Sequence, residues 1–403
     1  MALDILAEKG VALDRQAFTW REMSGPPYSK LDDDAFTRVR VSLMSALEAQ
    51  AVGLGHGLAP VNPELRGALA RVRRVEQHQQ TLVAWLSPPD ESLLDTAIGL
   101  EQASVEITAA VAQREPDPYV AQVYRFGLLE DLDHLYRFAA LMDRVEGRDA
   151  NTLLQSYTDI RPGRPTARAH RDPVDDLRDP YDRGTASFFT RIGVRTVAAC
   201  ADRARQLYMD AGPRFTDPAA RLLFAEIASI EEQHITAYES LADPGESPVE
   251  RWLLQQASEV FSYWSCLEQE QNAAVRAIWQ RLLDYELGHL HFVMDVMREI
   301  EGRDPTSLLP ASLPDPLAHD GQREFVRRTL EHEVSLRPEG TRFVGGAPAG
   351  AEAQAEPADA PSARYRQQMN SDGSPSEVVA EGYCWVPGTE LAARVARVPG
   401  RIS

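Results

Sequence analysis

The feature that most limits what this chain can become is that it repeats itself. His134-Leu135 through Val145-Glu146-Gly147-Arg148-Asp149 recurs as His289-Leu290 through Ile300-Glu301-Gly302-Arg303-Asp304, 155 positions later. Upstream, Glu76-Gln77-His78 aligns with Glu232-Gln233-His234 at an offset of 156. Phe36-Thr37-Arg38-Val39 aligns with Phe189-Thr190-Arg191-Ile192 at 153, and Pro27-Tyr28 with Pro180-Tyr181. An offset that drifts so little through separate matches marks a duplication, and each copy is about the size of one domain.

Each copy reads as four helices, at 35–55, 63–86, 92–113 and 119–146 in the first and 187–210, 218–241, 248–269 and 272–301 in the second. The start signals are explicit. Asn62-Pro63, Asp117-Pro118, Asp217-Pro218 and Ser247-Pro248 each place a side-chain acceptor before a proline at the first helical position, and Ser247 with Glu250 fits a capping box. Strand-like alternation is absent, so the expected class is all-α. The chain divides into an N-terminal extension (1–26), copy 1 (27–159), a Pro/Arg-rich linker (160–179), copy 2 (180–315), an extra helix (316–336) and a tail (337–403). Rich in Ala, Pro, Gly and Ser, the tail is expected to be flexible and disordered, because it has little apolar surface to offset its ordering entropy. Tyr383-Cys384-Trp385 is a segment within it able to dock, which suggests a protein partner for the tail.

A formal charge of −19 argues against a nucleic-acid partner, since phosphate binding rests on clustered Lys and Arg. No apolar run approaches the roughly 20 residues that cross a bilayer, and Met1 to Gly10 lacks the basic start of a signal peptide. The three cysteines form no CxxC pair, which fits a reducing compartment. The expectation is a cytoplasmic protein with neither membrane nor nucleic-acid partner.

Polar residues interrupt the apolar stripes at matching places. The fourth helix of copy 2 runs Val275, Trp279, Leu282, Glu286, His289, Val293 and Val296 along one face, and that of copy 1 runs Val120, Tyr124, Gly127, Asp131, His134, Phe138 and Leu141. The second helix of copy 2 does the same with Leu223, Ile227, Glu231, His234 and Tyr238. Helical spacing therefore buries these acids and imidazoles, and a buried carboxylate costs several kcal/mol unless something compensates it. An acid and a histidine spaced i and i+3 can reach one metal ion. The bland alternative is a buried polar network without metal.

With these residues in view, the chain resembles the ferritin-like superfamily, the ferritin, rubrerythrin and di-iron carboxylate proteins. Glu231-Glu232-Gln233-His234 looks like the EExxH of that family's second helix, and Glu286-Leu287-Gly288-His289 like the ExxH of its fourth. The resemblance covers residues 27–158 and 180–313 and implies two tandem ferritin-like four-helix bundles. It implies that Glu231 and Glu286 bridge an iron pair, with manganese as the other possible metal, and that His234 and His289 hold one ion each. In copy 1 the implied metal ligands are Glu48, Glu101, Asp131, His134 and His78. Departures from the family pattern are Val75 for the helix-2 acid of copy 1, and Ala201 and Gln256 for the helix-1 and helix-3 acids of copy 2. The implied activity is redox chemistry on O₂ or peroxide by a two-metal or single-metal centre, an oxidoreductase of ferroxidase or peroxidase type. A di-iron oxygenase acting on an organic substrate and a metal-free helical scaffold remain open.

Overall fold

A computed structural model describes residues 3–29, 35–333 and 358–385. Among these the secondary structure is all helical. Eight long helices carry the architecture: α1 (Ala35–Leu58), α2 (Arg66–Ala84), α3 (Leu93–Arg114) and α4 (Pro118–Glu146) in copy 1, and α5 (Phe188–Ala211), α6 (Pro218–Ser240), α7 (Pro248–Gln269) and α8 (Ala273–Glu301) in copy 2. They start where the sequence signals them. Asp117, Asp217 and Ser247 each accept a hydrogen bond from a backbone N–H of the first turn, which satisfies donors a helix start leaves orphaned. Two signals read differently. Asn62-Pro63 opens a 3-10 turn, Pro63–Leu65, without a side-chain cap, because the Asn62 amide donates backward to the Leu58 carbonyl. Ser247 caps as expected, but the Glu250 carboxylate accepts from Arg303 instead of closing a box.

The helices pair as hairpins, α1 with α2, α3 with α4, α5 with α6 and α7 with α8. The hairpins then exchange partners between copies. α3 packs on α5 and α4 on α6, while α1 packs on α7 and α2 on α8. The expectation that each copy closes on itself is therefore corrected: one four-helix group is α3–α4–α5–α6 and the other is α1–α2–α7–α8. Reciprocal hydrogen bonds record the exchange. Thr37 of copy 1 donates to Glu270 of copy 2 at 2.9 Å, and its counterpart Thr190 of copy 2 donates to Glu115 of copy 1 at 2.5 Å. Leu94, Ile98, Phe138, Tyr208 and Phe224 form the core of the first group, and Leu43, Leu47, Trp279 and Leu290 belong to that of the second.

The supposed extension and linker are a matching pair of straps. Val11 N–H donates to the Asp284 carbonyl and Arg164 N–H to the Leu129 carbonyl, both at 2.7 Å and at repeat-equivalent places. Only glycine fits the preceding position in each strap, because a Cβ on Gly10 or Gly163 would fall about 2 Å from those same carbonyl oxygens. The extra helix, α9, spans Arg323–Glu333.

The tail expectation is corrected for residues 358–385. They form α10 (Pro361–Met369) and α11 (Pro375–Ala380), and α11 lies on α4 and α6. Ser374 Oγ and Ser376 N–H bond the Glu226 carboxylate at 2.7 Å each, and the Tyr383 carbonyl accepts from Tyr136. Val379 is buried there. Specific polar partners and a few apolar anchors thus outweigh a composition that favours disorder. The rest of 337–403 lies outside the described residues.

Because each group needs hairpins from both copies, residues 1–159 expressed alone should not yield a stably folded monomer. Circular dichroism with size-exclusion chromatography should show instead an unfolded chain or a paired one. A cooperative, helical monomer would contradict the exchange.

Candidate metal centre

In the first group, α3 supplies Glu101, α4 supplies Glu130, Asp131 and His134, and α6 supplies Glu231 and His234. Glu101, Asp131, His134 and Glu231 each offer a ligand atom, and these atoms lie within 4.8 Å of one another. At metal–ligand bonds of about 2.1 Å, opposite ligands of one ion stand about 4.2 Å apart, so the cluster has the dimensions of an ion site. All four residues are at most 3% exposed. These residues could hold a metal ion.

The contacts are tight. His134 Nδ1 lies 3.0 Å from Glu231 Oε1 and 3.6 Å from Glu101 Oε1. His234 Nδ1 lies 3.2 Å from Asp131 Oδ1 and 3.4 Å from Glu231 Oε2. Tyr208, on α5, donates to Glu101 Oε1 at 2.7 Å. Glu101 Oε2 and His134 Nε2 have no hydrogen-bond partner, which buried polar atoms rarely tolerate. Burial pushes the Glu101 carboxyl well up, and Glu231 and Asp131 add to the shift. Asp131 is also raised by burial, against the pull of His234. Burial would raise Glu231 too, but the His234 charge and the hydrogen bonds to both imidazoles hold it at about 2. Burial works against the His234 cation, yet Glu231 and Asp131 raise its pKa well above the usual value. Three buried carboxyls and two imidazoles thus share too little positive charge, the condition a cation relieves.

Behind His234 stands a chain of ion pairs. His234 Nε2 is 2.8 Å from Glu130 Oε2, Arg171 donates to Glu130 Oε1 at 2.7 Å, and Arg171 also reaches Asp176 at 2.6 Å. Burial would raise the Glu130 carboxyl, but Arg171 and His234 together hold it far below its usual range. A carboxylate on the outer nitrogen fixes the ring orientation and leaves Nδ1 facing Asp131 and Glu231. Arg171 comes from the segment read as a linker.

The second group carries a different cluster. Gln79 on α2 donates to Glu286 Oε1 at 2.7 Å and to Glu48 Oε1 at 3.2 Å. Gln256 on α7 donates to Glu76 Oε1 at 2.9 Å and Glu259 Oε2 at 2.7 Å. His289 Nδ1 lies 3.1 Å from Glu286 Oε1, and Tyr263 donates to Glu48. Burial, with repulsion from Glu286, pushes Glu48 and Glu259 well up. Burial also raises Glu76 to about 7, even against the pull of His289.

The expected sets are thus redistributed. Glu231 and His234 do not meet Glu286 and His289; they meet Glu101, Asp131 and His134. Glu48 parts from Glu101 and joins Glu286 and His289. His78 joins neither cluster. It is half-buried on the outer side of α2, its ring 5.9 Å from Phe18 and 6.5 Å from Trp20. The cause is the register of α2, which lies one residue from the 156 offset that pairs His78 with His234. A constant offset of 155 pairs Glu76 with Glu231 and Gln79 with His234, so copy 1 keeps its helix-2 acid as Glu76 and lacks the imidazole instead; Val75 does not stand in the acid's place. That i, i+3 pair was readable. Glu259, Glu130, Arg171, Tyr208 and Tyr263 carried no such signal.

No family model, curated protein or solved structure matches this chain. Geometry alone carries the functional reading. Among the described residues no helix is long and apolar enough to cross a membrane.

Arg171→Leu should lower stability by about 3–5 kcal/mol at neutral pH, because it strands the buried Glu130 charge. Glu130 has a depressed folded pKa, so its contribution is present above the unfolded value of about 4.3 and is lost as pH falls toward the folded one. In urea unfolding, the gap between wild type and variant should therefore shrink below that pH. A gap independent of pH would contradict the assignment.

Proposed function

We propose that the chain is a ferritin-like metal-binding protein whose two four-helix bundles are assembled from exchanged halves. Its centre at Glu101, Asp131, His134, Glu231 and His234 would hold iron or manganese, as one ion or a pair. The observation that carries this reading is the convergence of buried carboxylate and imidazole atoms within 4.8 Å, from three helices and both copies. Carboxylates with imidazoles are the donor set that first-row divalent ions take in such bundles. A metal bound there would supply electron transfer to or from O₂ or peroxide.

The chain's own residues would prepare that chemistry. The Tyr208 hydroxyl restrains one oxygen of Glu101 and leaves the other without a protein partner. Glu130 and Arg171 hold the His234 ring. The void beside Asp131 and Glu231, walled by Val197, Cys200, Ala201 and Tyr238, is too narrow for an organic substrate. A larger cavity of about 700 Å³, between α1 and α5, is lined by none of the cluster's residues. Neither space offers an organic substrate a place against the cluster, which is what the oxygenase reading requires.

Protein purified from iron-supplemented cells should carry iron or manganese, and Glu231→Ala with His134→Ala should remove most of it. Adding Fe²⁺ or Mn²⁺ at about 100 times Kd to metal-free protein should stabilise it by about 2.7 kcal/mol. Metal-free wild-type protein with no thermal shift on metal addition would leave the scaffold reading standing.

A further inference from the structure

The second cluster differs from the first in one chemical respect. Where the first group places an imidazole, His234, the second places the amide of Gln79; where the first has the Glu101 carboxylate, the second has the amide of Gln256. Both amides face their neighbours with nitrogen. An amide NH₂ carries two protons and no lone pair for a metal, and each nitrogen is committed twice. Gln79 Nε2 links Glu48 to Glu286, and Gln256 Nε2 links Glu76 to Glu259.

These links join elements that exchange brought together. Gln79 ties α1 and α2 of copy 1 to α8 of copy 2, and Gln256 ties α7 of copy 2 to α2. Gln79, Gln256, Glu48, Glu259, Glu286 and His289 are all completely buried, so bulk solvent does not reach these hydrogen bonds. Among the described residues, ligand atoms gather to ion-site dimensions in the first cluster and not in this one. The second oxygens of Glu48, Glu259 and Glu286, both amide oxygens and His289 Nε2 have no partner, yet the carboxyl and imidazole atoms do not converge on one point as those of the first cluster do.

We propose that the second cluster is a carboxyl–amide lock that excludes metal, and that the chain holds metal at one centre only. The count of one rests on the function proposed above; the lock at the second cluster does not. The repeat supplies the means of opening it. Gln79→His and Gln256→Glu install the residues that stand at the equivalent places, 234 and 101, in the same protein.

The test is metal content per chain, by elemental analysis after loading the full-length protein with Mn²⁺ alone and removing excess. Wild type, Glu231→Ala, Gln79→His/Gln256→Glu and the triple variant are compared, with circular dichroism to establish folding. Glu231→Ala should fall to background, and the double variant should gain about twofold over wild type. That gain should survive in the triple variant and disappear on adding Glu286→Ala. Metal retained by the Glu231→Ala protein and lost with Glu286→Ala would overturn the lock, as would a folded double variant without gain. A wild type without metal beside a double variant that binds it would keep the lock and sink the function proposed for the first cluster. Should the double variant not fold, the single Gln79→His protein is read the same way.

Discussion

A carboxylate withdrawn from water loses several kcal/mol of hydration, which a cation, a proton or hydrogen-bond donors must replace. This chain buries such groups at the centre of both helix groups, and the ways it compensates them organise the molecule. In the first group, Glu231 leans on two imidazoles and Glu130 on Arg171. In the second, two glutamine amides and a histidine face four acids. Each set of partners comes from both copies of the repeat. Exchange of hairpins is therefore built into the centres themselves, since each centre draws acids and partners from both copies.

Helix identity was legible because it is local. Proline at the first turn, an Asp, Asn or Ser before it, and apolar spacing every three or four residues each act within a few residues of chain. Inward placement of Glu286, His289, Asp131 and His134 followed from the same spacing, and all four are buried. Partnership was not legible. Helical periodicity says which face turns inward but not which hairpin lies opposite it, and the two copies present almost the same face. The register of α2 was recoverable. Glu76 and Gln79 sit i and i+3 like Glu231 and His234, and the histidine at 78 drew the alignment off by one. The tail shows the opposite limit: its average composition describes segments with no partner, whereas a few residues such as Ser374, Ser376 and Val379 decide whether 358–385 docks.

Duplication followed by exchange leaves two pseudo-equivalent centres free to diverge. Gly10 with Gly163, Thr37 with Thr190 and Tyr28 with Tyr181 still make matching contacts, so the frame has been kept. The centres have diverged. Arg171 serves Glu130 in one strap, whereas in the other Gln16 serves the Tyr285 carbonyl. A charged support stands behind the cluster that has the geometry of an ion site, and a neutral one lies on the side of the cluster linked by amides.

The central claim is that the working centre is assembled across the two copies. Anomalous diffraction at the manganese or iron edge, from crystals of the metal-loaded protein, tests it directly. The account predicts density bounded by Glu101, Asp131 and His134 of copy 1 and Glu231 of copy 2. An ion coordinated by residues of one copy alone, or bridging Glu231 and Glu286, would contradict it.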